Sequence, residues 1–476
     1  MSRPIAELLA EAPAVRACRE ALGESAGVWI VGGAVRDAAL GRPVTDLDLA
    51  VVGDAREVAK AIARRAGGRT FQLSEEFATW RAMARDDGWQ VDVATLRAEG
   101  IEGDLRLRDF TVNAVAMPLS PTDAAPIDPL GGLADLDAGV LRAASERSFT
   151  DDPLRLLRAA RIAAEGRLDP DPATIELARS QPGAAGQPAG ERQLAELRML
   201  LTGADPIRGL ALLDELGASA AALPELEALR GVEQNPYHHL DVRGHTLEVL
   251  ERLIALQEDL ESVVGESADR LAELLAEPLA DGFTRGGALR FAAVLHDVGK
   301  PETRSLGERG RVLFIGHDRA GARIVREVCG RLRTSRRLGD YLANLTLNHL
   351  RLGFLVHERP LSRRHVYDYL RATDPDSSDV TLLTVADRLA TQGERTRQEA
   401  IDAHLELAAE MVGEALAWRS AGPPRAPIRG DDLAGELGIA EGPELGRLLA
   451  EVEAGVFEGK VAGREDAIAL ARGLID

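Results

Sequence analysis

The sequence predicts an α+β protein, with a mixed α/β head over about residues 26–140 followed by an all-α body. Two observations carry this. Short β-type runs, VWIVG at 28–32 and LDLAVV at 47–52, flank a Gly/Asp/Pro-rich connection. From about residue 145 the apolar spacing turns helical and stays so. The 476 residues leave room for two to four domains, at roughly 100–200 residues each.

The elements follow in order. The N-terminal MSRPIAELLAEAPAVRACREAL carries Glu7, Glu11 and Glu20 among its apolar residues, so it reads as one amphipathic helix rather than a signal peptide. AREVAKAIARRA at 55–66 reads as a helix stopped by Gly67-Gly68. Runs 79–84 and 89–94 read as strands joined by the turn Asp86-Asp87-Gly88. Segments 153–165, 193–201 and 207–217 have helical periodicity, and QPGAAGQPAG at 181–190 is a loop. GPPRAP at 422–427 punctuates the chain before a final acidic segment, and no internal repeat is present.

With 57 basic and 77 acidic side chains, the net charge is −20, which argues at first against a polyanionic partner. It suits a metal enzyme, or a protein kept soluble by self-repulsion. The lysines are Lys60, Lys300 and Lys460, so nearly all positive charge is Arg. Cys18 and Cys329 can form neither a disulfide framework nor a cysteine zinc site, which fits the cytoplasm. No apolar run approaches the ~20 residues of a membrane span. The charge is uneven. Residues 251–281 hold nine acids against two arginines, and 401–476 hold fifteen acids against seven bases. By contrast, Arg331 to Arg371 holds nine arginines against Asp340, Glu358 and Asp368. That strip fits either an RNA-facing surface or a solvated helix face.

The first constellation is Gly32-Gly33-Ala34-Val35-Arg36-Asp37 after a strand, then Asp46-Leu47-Asp48 opening the next. Alternate strand residues share a face, so Asp46 and Asp48 project together and can hold a hard divalent cation. The glycines admit close approach of a triphosphate, which Arg36 can neutralise. No Gly-x-Gly-x-x-Gly is present, which removes a dinucleotide-binding fold. GGAVRDAALGRPVTDLDLAVVG resembles the head motif of the tRNA nucleotidyltransferase/poly(A) polymerase family, in its bacterial class II form, on a polymerase-β-like nucleotidyltransferase fold. The resemblance implies Mg²⁺ ions on Asp46 and Asp48, and nucleotide contacts from Gly32, Gly33 and Arg36. Asp92, in VDVATL, matches where the wider superfamily places a third carboxylate.

The match continues along the chain. DLRLRDFTVNA at 104–114 resembles the second motif, with Leu107 in place of the first of two usual arginines and Arg108 keeping the second. Arg108 is implied at the triphosphate or terminal base, and Asn113 as a buried anchor or turn cap. Asp128 to Gly132, with Asp135-Leu136, resembles the next motif. Asp151-Asp152-Pro153-Leu154-Arg155 resembles the nucleotide-selecting motif, with Asp151 for the usual Glu. At three residues' separation, Asp152 and Arg155 are expected on one helix face, continued by Arg158 and Arg161. The resemblance gives Asp152 and Arg155 the Watson–Crick edge of CTP or ATP, and Arg158 and Arg161 a phosphate. Glu191-Arg192, with Glu196, resembles the following neck motif.

Of nine histidines, four fall in a second constellation: His245, His296-Asp297 in VLHDVGKP, His317-Asp318, His349, and then Asp387. Imidazoles and carboxylates suit transition metals. The set resembles an HD-superfamily metal phosphohydrolase. Implied basic ligands are His245, His296, Asp297 and Asp387, with His317 and His349 as the extra pair of two-metal members. A divalent transition metal such as Mn²⁺, Ni²⁺ or Fe²⁺ is implied, and Lys300 is a candidate for phosphate. The tail from Pro427 resembles the C-terminal segment of HD-containing members.

Together these imply a head at 1–140, a helical neck at 141–235, an HD domain at 236–400 and a helical tail at 401–476. The expected reaction is template-independent addition of CMP and AMP from CTP and ATP to a tRNA 3′ end, with an HD phosphohydrolase activity beside it. Poly(A) synthesis, or addition of CC or A alone, shares these motifs. An HD phosphohydrolase with an RNA-binding head is the rival of another class.

Overall fold

The structure, a computed structural model, describes residues 5–74, 78–85, 88–121 and 124–475. Asp86 and Asp87 of the expected turn lie outside them. The chain forms two compact units, Met1–Ala222 and Leu223–Asp476.

The first unit is built on a six-stranded mixed sheet in the order β3-β4-β5-β2-β1-β6. The strands are β1 (Val28–Val31), β2 (Asp46–Val51), β3 (Arg69–Ser74), β4 (Thr79–Met83), β5 (Gln90–Thr95) and β6 (Ala116–Pro118). Alternation over residues 46–49 orients β2: Leu47 and Leu49 are buried while Asp46 and Asp48 stand on the open face. β5 runs parallel to β2 with Asp92 opposite Asp48. The closed face packs on the helix Ala55–Arg65, through Ala59 and Ile62, and on Pro13–Leu22, through Val15 and Cys18. Asp54 caps the former by accepting from the Arg56 amide at 2.8 Å.

Three expectations change. The N-terminal segment is two helices, Ile5–Glu11 and Pro13–Leu22, because Pro13 takes the first position of a new helix. β3 and β6 extend the sheet beyond the four expected strands. Asp152 does not share the face of Arg155 within one helix. Pro153 forces the preceding residue out of helical geometry, so Asp152 is extended (φ −149°, ψ 100°) and the helix is Arg155–Gly166.

The second unit is predominantly helical. Its helices Arg285–Leu295, Arg336–Asn348 and Ser377–Ala390 are tied by a buried polar group. Arg285 donates to Asp376 at 3.0 Å and to Asp379, and the Tyr341 hydroxyl donates to Asp379 at 2.7 Å. Burial of this ion pair is tolerated because each charge is hydrogen-bonded. The C-terminal half of the arginine-rich strip meets acids of the tail and of the helix before it. Arg359 pairs with Glu406 and Glu410, Arg363 with Glu414, Arg364 with Glu451, and Arg371 with Glu453. Four arginines of the strip are thus offset by acids of residues 401–476.

Candidate functional site

The open face of the head sheet carries a cleft of about 270 Å³ lined by Asp48, Asp92, Asp104 and Arg108. Asp48 keeps an exposed edge, yet crowding by the cleft walls pushes its carboxyl up to about 6. Asp92 and Asp46 add to that push, against the opposing Arg108 and Arg158. Arg81 grips both oxygens of Asp92 at 2.6 and 2.7 Å, and Gln90 donates to Asp46 at 3.0 Å. Gly32 adopts φ +71°, and a Cβ there would sit 3.2 Å from an Arg108 guanidinium nitrogen and 3.3 Å from an Asp48 oxygen. Glycine therefore keeps the strand-to-helix turn open over the carboxylates. Adjacent carboxylate oxygens on one sheet face, with Asp48 raised in its affinity for protons, fit a hard divalent cation.

Behind the cleft, residues from four sequence motifs form one hydrogen-bonded chain. Arg36 donates to Asn113 Oδ1 at 2.9 Å, and Asn113 Nδ2 donates to Asp109 at 3.1 Å. Arg158 donates twice to the other oxygen of Asp109, at 2.9 and 2.8 Å, and to Glu196 at 3.2 Å. Arg161 then joins Glu196 at 2.7 Å to Glu165 at 2.9 Å. Burial alone would raise the Asp109 carboxyl. The Arg158 guanidinium, with bonds from Asn113 and the Phe110 amide, instead holds it well below the usual range. Arg158 and Arg161 are thus engaged by carboxylates, a different setting from the phosphate contact expected of them.

Arg155 donates to the Leu107 carbonyl at 2.9 Å and to those of Arg108 and Ser148 at 3.3 Å. Asp152 accepts from Arg192 at 2.7 Å and from the Leu154 amide at 3.2 Å. The pair expected to read a base edge therefore sits at the N-terminal end of one helix, on partners that a base edge must compete with. Leu107, in place of the family's arginine, leaves its side chain exposed and contributes only its carbonyl to Arg155.

In the second unit, His245, His296, Asp297, His317, His349 and Asp387 come together. Ligand atoms of His245, His296 and Asp297 lie within 4.8 Å of one another, as do those of Asp297, His317 and His349. His245 Nε2 stands 2.9 Å from Asp387 Oδ1. His296, His317 and His349 each donate Nδ1–H to the carbonyl three residues earlier, at 2.8, 2.7 and 2.7 Å. That bond orients each ring with Nδ1–H on the backbone and Nε2 turned into the group. The Nε2 atoms of His317 and His349 are 3.3 Å apart, and 3.4 and 3.8 Å from Asp297 Oδ1. His296 Nε2 is 3.2 Å from Asp297 Oδ2; burial alone would lower this imidazole, but the adjacent Asp297 carboxylate raises it instead. Burial, then the neighbouring His317 and His296, push His349 down to about 4, so it stays neutral near pH 7. Imidazole nitrogens and carboxylate oxygens converging in a buried site fit a cation. Lys300 pairs with Asp297 Oδ2 at 2.6 Å and donates to Gln234 at 2.8 Å.

Sequence reasoning gave no role to Asp109, Arg81 or Glu165. Asp109 and Arg158 are 49 residues apart, and no local pattern announces such a pair. His238, edge-on to His245 with ring centres 4.8 Å apart, was hidden in the loop before the helix Val242–Glu258.

Residues 28–142 match the family model described as the poly A polymerase head domain, and 242–392 match that of the HD domain. The A-adding tRNA nucleotidyltransferase of Deinococcus radiodurans is 34% identical over 452 residues, 94% of this chain and 95% of that protein. The CC-adding tRNA nucleotidyltransferase of Thermus thermophilus is 33% identical, over 92% of this chain and 91% of that protein. Among solved structures, a CCA-adding enzyme complexed with CTP superposes with a TM-score of 0.60 at 23% identity, covering 100% of this chain and 99% of that one. The Thermotoga maritima CCA-adding enzyme complexed with tRNA gives 0.56 at 21%, with the same coverage. No helix among the described residues is long and apolar enough to cross a membrane. The matches to full-length relatives, taken with the two family models, place the chain in the tRNA nucleotidyltransferase/poly(A) polymerase family, with an HD domain following the head.

Proposed function

We propose that this chain adds CMP and AMP, from CTP and ATP, to the 3′ end of tRNA in the cytoplasm, without a nucleic-acid template. The observation that carries this is the convergence of Asp48, Gly32 and Arg108 on one cleft, with Arg36 bonded through Asn113 and Asp109 to the helix of Arg155. In the reaction the terminal 3′-hydroxyl oxygen bonds to the α-phosphorus and loses its proton. The bond from that phosphorus to the bridging oxygen breaks, and pyrophosphate leaves. Asp46 and Asp48 would hold Mg²⁺, which when bound supplies Lewis-acid stabilisation of the attacking and leaving oxygens. Gly32 and Gly33 let the phosphates lie against backbone, and Arg36 and Arg108 offset their charge. Asp152 and Arg155 supply acceptors and forked donors to the base edge, and so choose C or A. The network through Arg158 and Arg161 holds that helix in register with the cleft. Within this reading the head spans 1–140, the neck 141–235, the HD domain 236–400 and the tail 401–476.

A second reading, addition of CC or A alone, is favoured by one observation: two relatives matched over more than nine-tenths of the chain are A-adding and CC-adding proteins. Labelled CTP and ATP, offered separately and together to tRNA lacking CCA, ending in C and ending in CC, distinguish these. We also propose that the six His and Asp side chains hold a divalent transition metal such as Mn²⁺, Ni²⁺ or Fe²⁺ and support phosphate-ester hydrolysis. Release of phosphate that depends on added metal and is lost in His296→Asn tests this.

A further inference from the structure

The sheet register sets three charged side chains of the first unit in one row. Arg81 of β4 lies opposite Asp92 of β5, and Asp92 lies opposite Asp48 of β2. Directly opposed residues share a face, so all three stand with Asp46 on the open side. The neighbours of Arg81 fix the same direction, because Trp80 and Ala82 turn to the closed face and pack in the core. Pairing on both edges also holds the backbone at this point. Arg81 is opposite Phe71 of β3, and the Thr70 hydroxyl donates to the Arg81 carbonyl at 2.9 Å.

Asp92 has both of its oxygens taken. Arg81 donates Nε–H to one at 2.6 Å and Nη2–H to the other at 2.7 Å, the strong, forked form of an ion pair. That hydrogen bonding holds the Arg81 guanidinium above its ordinary value, so it stays charged. Its companions on the face are held less tightly. Asp46 accepts a neutral bond from Gln90 at 3.0 Å, and Arg108 acts on Asp48 across the cleft through charge. Asp92 nevertheless opens onto the same cleft as Asp48, and its charge helps to raise the Asp48 carboxyl. It is therefore placed to join a cation held by Asp46 and Asp48, were its oxygens released.

A guanidinium and a divalent cation are rivals for those two oxygens. A cation arriving alone must evict Arg81, which then stands beside three carboxylates already committed to the cation. A nucleotide changes that balance, because its phosphates bring several negative charges for the freed guanidinium to meet. We propose that Arg81 is a resident counter-ion that makes binding of the divalent cation and of the nucleotide interdependent: it occupies Asp92 in the free protein, and passes to a phosphate of incoming CTP or ATP as Asp92 is released to the cation. The inference rests on the assignment of the head cation to Asp46 and Asp48 above. Its thermodynamic consequence is a coupling that runs both ways, each ligand tightening the other by the same factor. Cation and nucleotide then load together, and the carboxylates stay neutralised between turnovers.

The test uses the full chain without tRNA, and two binding measurements. The first is luminescence of Tb³⁺, a hard, oxygen-seeking ion, sensitised by Trp29, Trp80 and Trp89 of the first unit. Without nucleotide, Arg81→Ala should bind Tb³⁺ at least about fivefold more tightly than wild type, because the rival for Asp92 is gone. Arg81→Lys keeps the charge, and should tighten binding by less than about twofold. The second is calorimetry of CTP binding, in EDTA and in Mg²⁺. The factor by which Mg²⁺ tightens CTP should be at least about fivefold smaller in Arg81→Ala than in wild type. Arg81 is partly exposed, so the fold should survive, and circular dichroism checks it. Arg81→Gln, which keeps most of the length and loses the charge, carries the same expectations should the alanine variant misfold. Equal or weaker Tb³⁺ binding in the neutral variants would overturn the counter-ion role and leave Arg81 a cross-strand partner of Asp92. An unchanged Mg²⁺ factor for CTP would overturn the coupling. Asp48→Ala keeps the failures apart: Tb³⁺ affinity that does not fall in that variant would refute the assignment of the cation to the head carboxylates itself.

Discussion

Replacing Asp109 with Asn keeps the side chain's shape and removes the charge at the centre of the head–neck network. Asp109 is buried and accepts two bonds from Arg158, one from Asn113 and one from the Phe110 amide. Breaking a buried ion pair by removing one partner costs about 3–5 kcal/mol. Glu196 still pairs with Arg158 at 3.2 Å, so the expected loss is the lower end, about 3 kcal/mol. With a urea dependence of about 2–3 kcal/mol per molar, the unfolding midpoint should fall by about 1 M. Trp29, Trp80 and Trp89 lie in the first unit and Trp418 in the second, so tryptophan fluorescence reports chiefly the affected unit. The pH dependence has a definite sign. The Asp109 carboxyl is depressed in the folded state, so its stabilisation is fully present above the unfolded value near 3.9. It is lost as pH falls through the lower folded value, so the gap between wild type and variant should be constant above about pH 5 and narrow below about pH 4. Because Asn113 positions Arg36, nucleotide incorporation should fall as well. A midpoint shift under about 0.3 M together with unchanged incorporation would refute the network as the element joining head to neck.

Other outcomes follow from the same geometry. Asp48→Ala and Asp46→Ala should each abolish incorporation while leaving the unfolding midpoint within about 0.2 M of wild type, since neither side chain packs in the core. Retained incorporation in both would sink the metal assignment. Gly32→Ala should raise the KM for nucleotide, because a Cβ there crowds Arg108 and Asp48 and the left-handed backbone costs about 1–2 kcal/mol; steady-state kinetics checks it. Added Mn²⁺ should raise the melting temperature of wild type and not of Asp297→Asn, because Asp297 belongs to both ligand groups; an equal rise in both would show that the ion binds elsewhere.

The sheet's inner strands were legible because β2 and β5 alternate buried and open residues around Leu47, Leu49, Val91 and Val93. β3 was not, because it lies at the sheet edge and leaves Phe71 and Leu73 exposed, blurring the alternation. β6 has three residues and ends in Pro118, too short for periodicity. The residues that gather in the second unit's His/Asp group were legible, since His-Asp pairs are rare in a chain with nine histidines. What long-range pairing does to a charged residue was not. Arg158 and Arg161 look like a phosphate-binding face until Asp109, Glu165 and Glu196 are brought against them. The same holds for Arg359 to Arg371, whose acidic partners lie more than forty residues downstream. The −20 net charge misled for this reason. Much of the acid serves internal ion pairs and says little about the surface offered to RNA.

The most direct test of the central claim is incorporation of labelled CMP and AMP into tRNA lacking CCA, ending in C, and ending in CC. Full CCA addition predicts C on the first two ends and A on the third, with the complete terminus appearing only when both nucleotides are supplied. Incorporation limited to one of these steps would establish the split activity instead. A folded, Mg²⁺-supplied protein that extends none of the three ends would contradict the account.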